Sequence, residues 1–407
     1  MTKRPTKRPL KAVRAARAAL AALLTAAAVA GAALTAPAPA GAATQALPAG
    51  PAARGSGHEH TQAALDAAVK AGVPGVIALA RGPRGTWHGT AGVADLHTHR
   101  PRLSGEHFRA GSIVKPFIST VILQLEAEHR LTLGDTVEKW LPGLVRGHGN
   151  DGRRITLRQL LNHTSGLYDY TGDPEILRNL TTTAFLQHRY DNWTPEQIVR
   201  TATAHAPDFP PGTRYSYSPT GYVLAALVME KATGRSYEEE VERRIIRPLG
   251  LRSTRLPGHE RTLPAPAGRG YTRFTDDPDH KMYDVTDLDP SLIRGTGDLV
   301  TSPADLDRFL TALLRGRLLP PAQQRELKST VPTGEDPGVE YGLGLFHFTL
   351  CGIELWGHTG FFIGTQSVAY ISADTRRSLV YNFNTDALGD TSAAGDVIKA
   401  EFCPAVK

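Results

Sequence analysis

The chain has 407 residues and a formal charge of +6, from 46 Lys and Arg against 40 Asp and Glu, and the place of that excess decides its meaning. Seven basic residues (Lys3, Arg4, Lys7, Arg8, Lys11, Arg14, Arg17) and no acidic ones lie before residue 43, so the remainder holds 39 against 40, a balance of −1. That near-neutral remainder removes the electrostatic support a nucleic-acid partner needs.

From the N-terminus, the basic run leads into an Ala-rich apolar stretch over 18–34 and then Ala38-Pro39-Ala40-Gly41-Ala42. This order predicts a secretory signal peptide over residues 1–42. The stretch is short and mostly alanine, below the roughly 20 strongly apolar residues of a spanning helix. No cysteine stands near the cleavage region to carry a lipid. The expected product is secreted, with no stable membrane anchor. Residues 43–57 read as a flexible N-terminal segment and 58–405 as one domain, because no long Pro/Gly/Ser linker interrupts them.

Ala, Leu and Val recur at helical spacing over 60–71, and 75–80 with 86–92 read as a strand pair. Helical spacing returns at 117–130, 157–161, 195–204, 220–232 and 304–314. Alternating or apolar strand patterns occupy 342–350, 352–356, 366–372 and 378–382, before a last helix over 392–402. Strands at both ends around a helical middle predict an α+β fold whose chain termini build one sheet. Cys351 opens the strand leading to His358, and Cys403 ends the final helix. As the only cysteines of an exported chain, they predict a disulfide.

Three short motifs carry chemistry: Ser112-Ile113-Val114-Lys115, Tyr217-Ser218-Pro219 and His358-Thr359-Gly360. A serine three residues ahead of a lysine on a helix shares its face, so the amine can tune the hydroxyl proton. Ser112 is the only serine with a lysine at that spacing, and it precedes the apolar-periodic stretch 117–125. Its expected place is therefore a helix N-terminus, where unpaired N–H groups and the dipole favour developing negative charge. Tyr217, from a distant loop, can accept the serine proton when nearby cations lower its pKa. The late His-Thr-Gly offers a polar strand edge to a substrate, and the reaction class is acyl transfer. His58-Glu59-His60 and His97-Thr98-His99 lack the i, i+4 pair of a zinc protease, so neither a metal nor a cofactor is expected. Gly-x-Ser-x-Gly is absent, and Ser165 in His163-Thr164-Ser165-Gly166 reads as a turn residue.

The motifs occur together with 155–167, which ends His163-Thr164-Ser165-Gly166-Leu167, with 209–218 around the tyrosine, and with 295–306, which opens Gly295-Thr296-Gly297-Asp298. On these segments the chain resembles the serine penicillin-recognising enzymes over roughly 65–403, in the branch of class C β-lactamases and low-molecular-mass D-alanyl-D-alanine carboxypeptidases. The resemblance implies the DD-peptidase/β-lactamase fold, an antiparallel sheet flanked by N- and C-terminal helices beside an all-helical lobe, with the site between the two. It implies an acyl-enzyme on Ser112, with Tyr217 as proton acceptor, Lys115 holding its charge, and His358 where many members have lysine. It also implies an oxyanion hole from the N–H groups of Ser112 and Phe361, with Thr359 and Gly360 along the substrate. A coupled Lys–Tyr pair shares its titration, so both residues stay eligible as the base.

Two departures bear on the substrate. Pro219 stands where the family's second motif carries Asn, and proline has neither a side-chain donor nor an N–H. Phe361 and Phe362 follow the His-Thr-Gly where carboxypeptidases place a hydroxyl, and Phe346-His347-Phe348 replaces an arginine-bearing strand. An apolar group in the substrate is the expectation. The default reading is a secreted D-alanyl-D-alanine carboxypeptidase-type hydrolase. An esterase, a D-amino-acid peptidase or a β-lactamase of the same fold is the alternative, and a non-hydrolytic module that binds peptidoglycan or penicillin a second one. Expected partners are small peptide, ester or β-lactam substrates, peptidoglycan stem peptides among them.

Overall fold

The computed structural model describes residues 57–334, 336–388 and 392–403. The expected signal peptide, all but the last residue of segment 43–57, and residues 404–405 lie outside the described residues. The fold is α+β, as expected. Helix α1 (Glu59–Lys70) buries Leu65 and Ala68 three residues apart, and carries Glu59 in its first turn and Lys70 in its last, the signs its dipole favours. Strands β1 (Gly75–Gly82) and β2 (Gly85–Gly92) then form an antiparallel hairpin.

The helical lobe follows. Helix α2 (Lys115–Ala127) is buried along most of its length and forms the centre of the lobe with α3 (Leu157–Leu161), α4 (Pro195–Thr203) and α5 (Thr220–Thr233). The sequence pattern ran α2 on to residue 130, but the helix stops at a Schellman turn. His129 at φ +57° lets Arg130 N–H reach Leu125 O and His129 N–H reach Glu126 O. Thr156 and Thr194 start α3 and α4 with capping boxes to Gln159 and Gln197. Helix α6 (Pro303–Leu314) begins behind Ser302, whose hydroxyl accepts from Asp305 N–H.

The chain then returns to the sheet through β3 (Val331–Pro332), β4 (Glu340–Tyr341), β5 (Phe346–Leu350), β6 (Ile353–Phe362), β7 (Thr365–Ser372) and β8 (Ser378–Phe383), and ends on α7 (Ser392–Phe402). Sheet order is β2-β1-β8-β7-β6-β5-β4-β3, antiparallel throughout, so the first hairpin docks on the last strand with Val76 opposite Phe383. Alternation sorts the faces. Val76, Ala78, Tyr370, Tyr381 and Phe383 pack with Leu65 of α1 and Val397 and Phe402 of α7. Ile77, Ala369, Ile371 and Val380 face the lobe. The first C-terminal strand is shorter than its apolar run, because Gly342 N–H bonds Leu345 O around Gly344 at φ +90°. β6 is longer than expected and carries His358, Thr359 and Gly360 in its interior.

Cys351 and Cys403 are bonded, with Cα atoms 5.3 Å apart, and tie the β5–β6 turn to the end of α7 across 52 residues. Cross-linking a loop of this size restricts the unfolded chain more than the folded one. Replacing both cysteines with alanine is expected to lower unfolding free energy by about 2–4 kcal/mol, read from urea denaturation. An unchanged midpoint would show that α7 is held by packing alone.

Candidate active site

Gly111–Val114 forms a single 3₁₀ turn that feeds α2, so Ser112 lies just ahead of the helix and Lys115 is its first residue. Pro116 takes the second helical position, where a missing N–H costs nothing. The three-residue spacing brings Lys115 Nζ within 2.8 Å of Ser112 Oγ. The same nitrogen donates to Thr296 O at 2.9 Å and lies over the rings of Tyr217 and Tyr222, at 5.1 and 5.5 Å. Lys115 is fully buried. Burial drives its pKa down to about 7, against the opposing pull of Asp169 and Asp298. A large fraction of neutral amine is therefore present near neutral pH.

Tyr217 reaches Ser112 from the other side, its hydroxyl 2.8 Å from Oγ. Its loop is zipped to the segment after α3: Gly212 N–H bonds Thr164 O at 2.7 Å and Ser216 N–H bonds His163 O at 2.9 Å. The expectation that cations lower the Tyr217 pKa is not met. Burial pushes the phenol well above its ordinary value, and the hydrogen bond to Ser112 offsets only part of this. Tyr217 is thus a proton donor at rest and Lys115 the group with a free lone pair.

His358 sits on β6 but not on Ser112. It is 1% exposed, Nε2 lies 3.0 Å from Tyr341 OH, and Nδ1 bonds Thr359 O. Burial and the charge of Lys115 hold its pKa down at about 3, so it is a neutral wall of the site. Pro219 is buried at the start of α5, where its carbonyl accepts from Tyr222 N–H at 2.8 Å, and so belongs to the scaffold under Tyr217. Thr359 is partly exposed, and Phe361 is 42% exposed at the mouth.

Two glycines let β6 lie directly along the serine turn. A Cβ on Gly360 would stand 1.8 Å from Ala110 O, and one on Gly111, at φ +60°, 2.8 Å from Phe361 N. The backbone of Ala110 and Gly111, just ahead of Ser112, therefore lies directly against that of Gly360 and Phe361. Sequence reasoning missed the groups that hold the lysine and tyrosine: Thr296 O, Tyr170, whose hydroxyl lies 3.1 Å from Thr296 Oγ1, and His163, which packs on Tyr217 and is itself packed by Tyr222 and Tyr341. Thr296 acts through its carbonyl, which no side-chain pattern reveals. Among the described residues, no group of three His, Cys, Asp or Glu is placed to hold a metal ion, and no helix is long and apolar enough to cross a membrane.

The beta-lactamase family model matches residues 59–401. The chain belongs to the beta-lactamase family. Among solved structures, this family member is similar to a D-stereospecific amidohydrolase from Streptomyces sp., with 48% identity and a TM-score of 0.80, covering 85% of this chain and 98% of that one. It is also similar to the D-amino acid amidase of Ochrobactrum anthropi SV3 complexed with D-phenylalanine, with 29% identity, a TM-score of 0.73, and coverage of 84% and 98%. Penicillin-binding protein 4* of Bacillus subtilis (strain 168) is 29% identical over 338 residues, 80% of this chain and 71% of that protein. The chain spans 55% of the length of three further curated relatives, D-aminopeptidases of Cereibacter sphaeroides, at 29–30% identity. As a beta-lactamase family member, the chain is a serine hydrolase.

Neutral His358 has a consequence in acid. The unfolded chain protonates this residue below about pH 6.5 and the folded one only near 3, so its contribution to stability is lost as pH falls through that window. Melting temperature measured down the window should fall less steeply in His358→Gln than in the unmodified protein. Identical slopes would mean that His358 protonates normally in the fold.

Proposed function

We propose that this protein is an exported serine amidohydrolase that cleaves amides, esters or short peptides of D-amino acids through an acyl-enzyme on Ser112, with 58–405 as its catalytic domain. The observation that carries the reading is one oxygen, Ser112 Oγ, held 2.8 Å from both an amine and a phenol. The 48% identity to a D-stereospecific amidohydrolase supports the substrate class. A disulfide between the only two cysteines supports an oxidising compartment, in line with the basic and apolar leader.

In this mechanism Ser112 Oγ attacks the substrate carbonyl carbon as its proton passes to Lys115 Nζ. The tetrahedral oxyanion lies on the Ser112 and Phe361 N–H groups, whose separate loss would cost about 10²–10³-fold in turnover. Collapse breaks the carbonyl carbon–nitrogen bond, the leaving amine takes the Tyr217 proton, and Lys115 returns a proton to the phenolate. Water then attacks the acyl-enzyme, giving a proton to Lys115 while Ser112 Oγ leaves and is reprotonated. Thr359 and Gly360 line the strand edge along which the substrate lies.

A D-alanyl-D-alanine carboxypeptidase is the second reading, supported by similarity to penicillin-binding protein 4*. Phe361 argues against it, since an exposed aromatic ring rewards apolar surface where a terminal carboxylate would want a cation or a hydroxyl. The enzyme is expected to prefer a D-alanyl-D-alanine amide or ester over the free acid, and D-phenylalanine amide over its L form by at least about 10²-fold, because a misplaced carbonyl loses alignment with Oγ. Equal rates on both enantiomers would overturn the stereospecific reading, and a strong preference for the free acid would restore the carboxypeptidase.

The proton path makes a separate prediction. Ser112→Ala should lose at least about 10³-fold in turnover, and pre-steady-state acylation of the unmodified protein should rise with pH through an apparent pKa near 7 as Lys115 deprotonates. A flat profile between about pH 6 and 9 would remove Lys115 as the base.

A further inference from the structure

His163 is 1% exposed, lies outside the reaction as written, and is held in the left-handed backbone region at φ +57°. For a residue other than glycine that conformation is costly and persists only where surrounding contacts enforce it. Here the contacts converge on Tyr217. The His163 carbonyl accepts Ser216 N–H at 2.9 Å, and Nδ1 lies 3.2 Å from both the N–H and the carbonyl oxygen of Ser218, so the residues on both sides of Tyr217 are gripped by one histidine. The imidazole packs on the Tyr217 ring with centroids 4.2 Å apart and is enclosed by Tyr215, Tyr222 and Tyr341 at 4.8–5.9 Å.

Nδ1 thus faces both polar backbone groups of Ser218, while Nε2 is buried and has no hydrogen-bond partner among the described residues. Among tyrosine rings a neutral imidazole is tolerated and an imidazolium is not. Burial, with the charge of Lys115, keeps the ring neutral. In either neutral tautomer Nδ1 keeps a hydrogen bond to Ser218, from its N–H or to its carbonyl. The other titratable groups facing it are Tyr215, Tyr217, Tyr222 and Tyr341, and burial raises the last three above the ordinary phenol value.

We propose that His163 is a positioning residue that sets the Tyr217 hydroxyl on Ser112 by clamping Ser216 and Ser218, without touching the substrate. The inference rests on the proton-donor role given to Tyr217 above. A side chain that acts only through another has no effect once the other is disabled, so the test is a double-mutant cycle.

Acylation rate, KM and melting temperature would be measured for His163→Ala, His163→Asn, Tyr217→Phe and the double variant His163→Ala with Tyr217→Phe, using D-phenylalanine amide as substrate. Tyr217→Phe should slow acylation by about 10²-fold or more, the scale of a lost general acid. His163→Ala should slow it by about 10-fold or more, with KM within about threefold, because the substrate site is not remodelled. Asparagine adopts left-handed backbone readily and offers an oxygen to Ser218 N–H, so His163→Asn should recover most of that loss. In the Tyr217→Phe background, His163→Ala should add less than about threefold.

A full multiplicative loss in the double variant would overturn the inference, since His163 would then act independently of Tyr217. So would a His163→Asn variant that is as melted and as slow as His163→Ala, which would mark a purely structural role. If Tyr217→Phe leaves acylation unchanged, it is the underlying assignment of Tyr217 that fails, and an effect of His163→Ala in that case would be unconnected with the clamp.

Discussion

The site depends on one lysine kept out of water. Moving an ammonium into a protein interior costs several kcal/mol, and the structure meets that cost only in part. Thr296 O and Ser112 Oγ take two of the three protons that a charged Nζ carries, and the faces of Tyr217 and Tyr222 add a weak attraction. Among the described residues no carboxylate touches the nitrogen, and Asp169 and Asp298 act only at longer range. What remains unmet appears as the drop in the Lys115 pKa to about 7. The sign of the linkage follows. An unfolded lysine stays protonated up to about 10.5, so this burial destabilises the fold in full below about pH 7, and the penalty fades as pH rises towards 10.5. An amine that is useful at neutral pH is thus bought with stability.

That loss has to be carried by the surroundings, which explains why the lysine lies at the foot of the most buried helix. α2 is enclosed by the lobe along nearly its whole length, from Pro116 to Leu125, and so cannot bend to let Nζ reach water. Thr296 is fixed in turn by Tyr170, whose hydroxyl also donates to Leu292 O at 2.8 Å. Asp298 closes the same loop, accepting Gly295 N–H at 3.1 Å and the Tyr237 hydroxyl, and burial raises its own pKa to about 7. The lysine partner is a backbone carbonyl in a loop whose own polar groups are satisfied. This is the rigid support that preorganised chemistry needs.

How much of this was legible in the sequence divides along the range of the interaction. Ser112 and Lys115 were legible because i and i+3 on a helix meet by local geometry. The sheet formed by the two chain ends was legible from period-two patterns in β1, β7 and β8, whose alternate residues do face opposite layers. The length of β6 was not, because Gly357, Thr359 and Gly360 interrupt the apolar pattern for reasons that belong to neighbouring chain. A Cβ on Gly357 would stand 2.0 Å from Ala369 O, and Gly360 faces Ala110 O. His163 was visible only as part of a quoted segment, since a left-handed backbone and an aromatic cage are made by residues 50 and more positions away. The direction of the Tyr217 shift was misjudged because a nearby lysine suggests a cation, whereas burial has already weakened that charge.

The same reasoning bears on His358, at whose position the resemblance implies a lysine in many family members. A second ammonium at that place would face Lys115 across Tyr217, and each charge would disfavour the other in a region with little water. A histidine avoids the conflict by staying neutral, with Nδ1–H given to Thr359 O and Nε2 accepting from Tyr341. It contributes shape and a hydrogen bond to the strand edge but no positive charge. A substrate carboxylate beside β6 would therefore find an aromatic ring at Phe361 and a neutral imidazole behind it, while an amide or an ester would lose nothing there. The proposed preference for carboxylate-free substrates would follow from the electrostatics of Lys115 as much as from the phenylalanine: once the protein keeps one amine neutral by burial, the residues around it are under pressure to be neutral too.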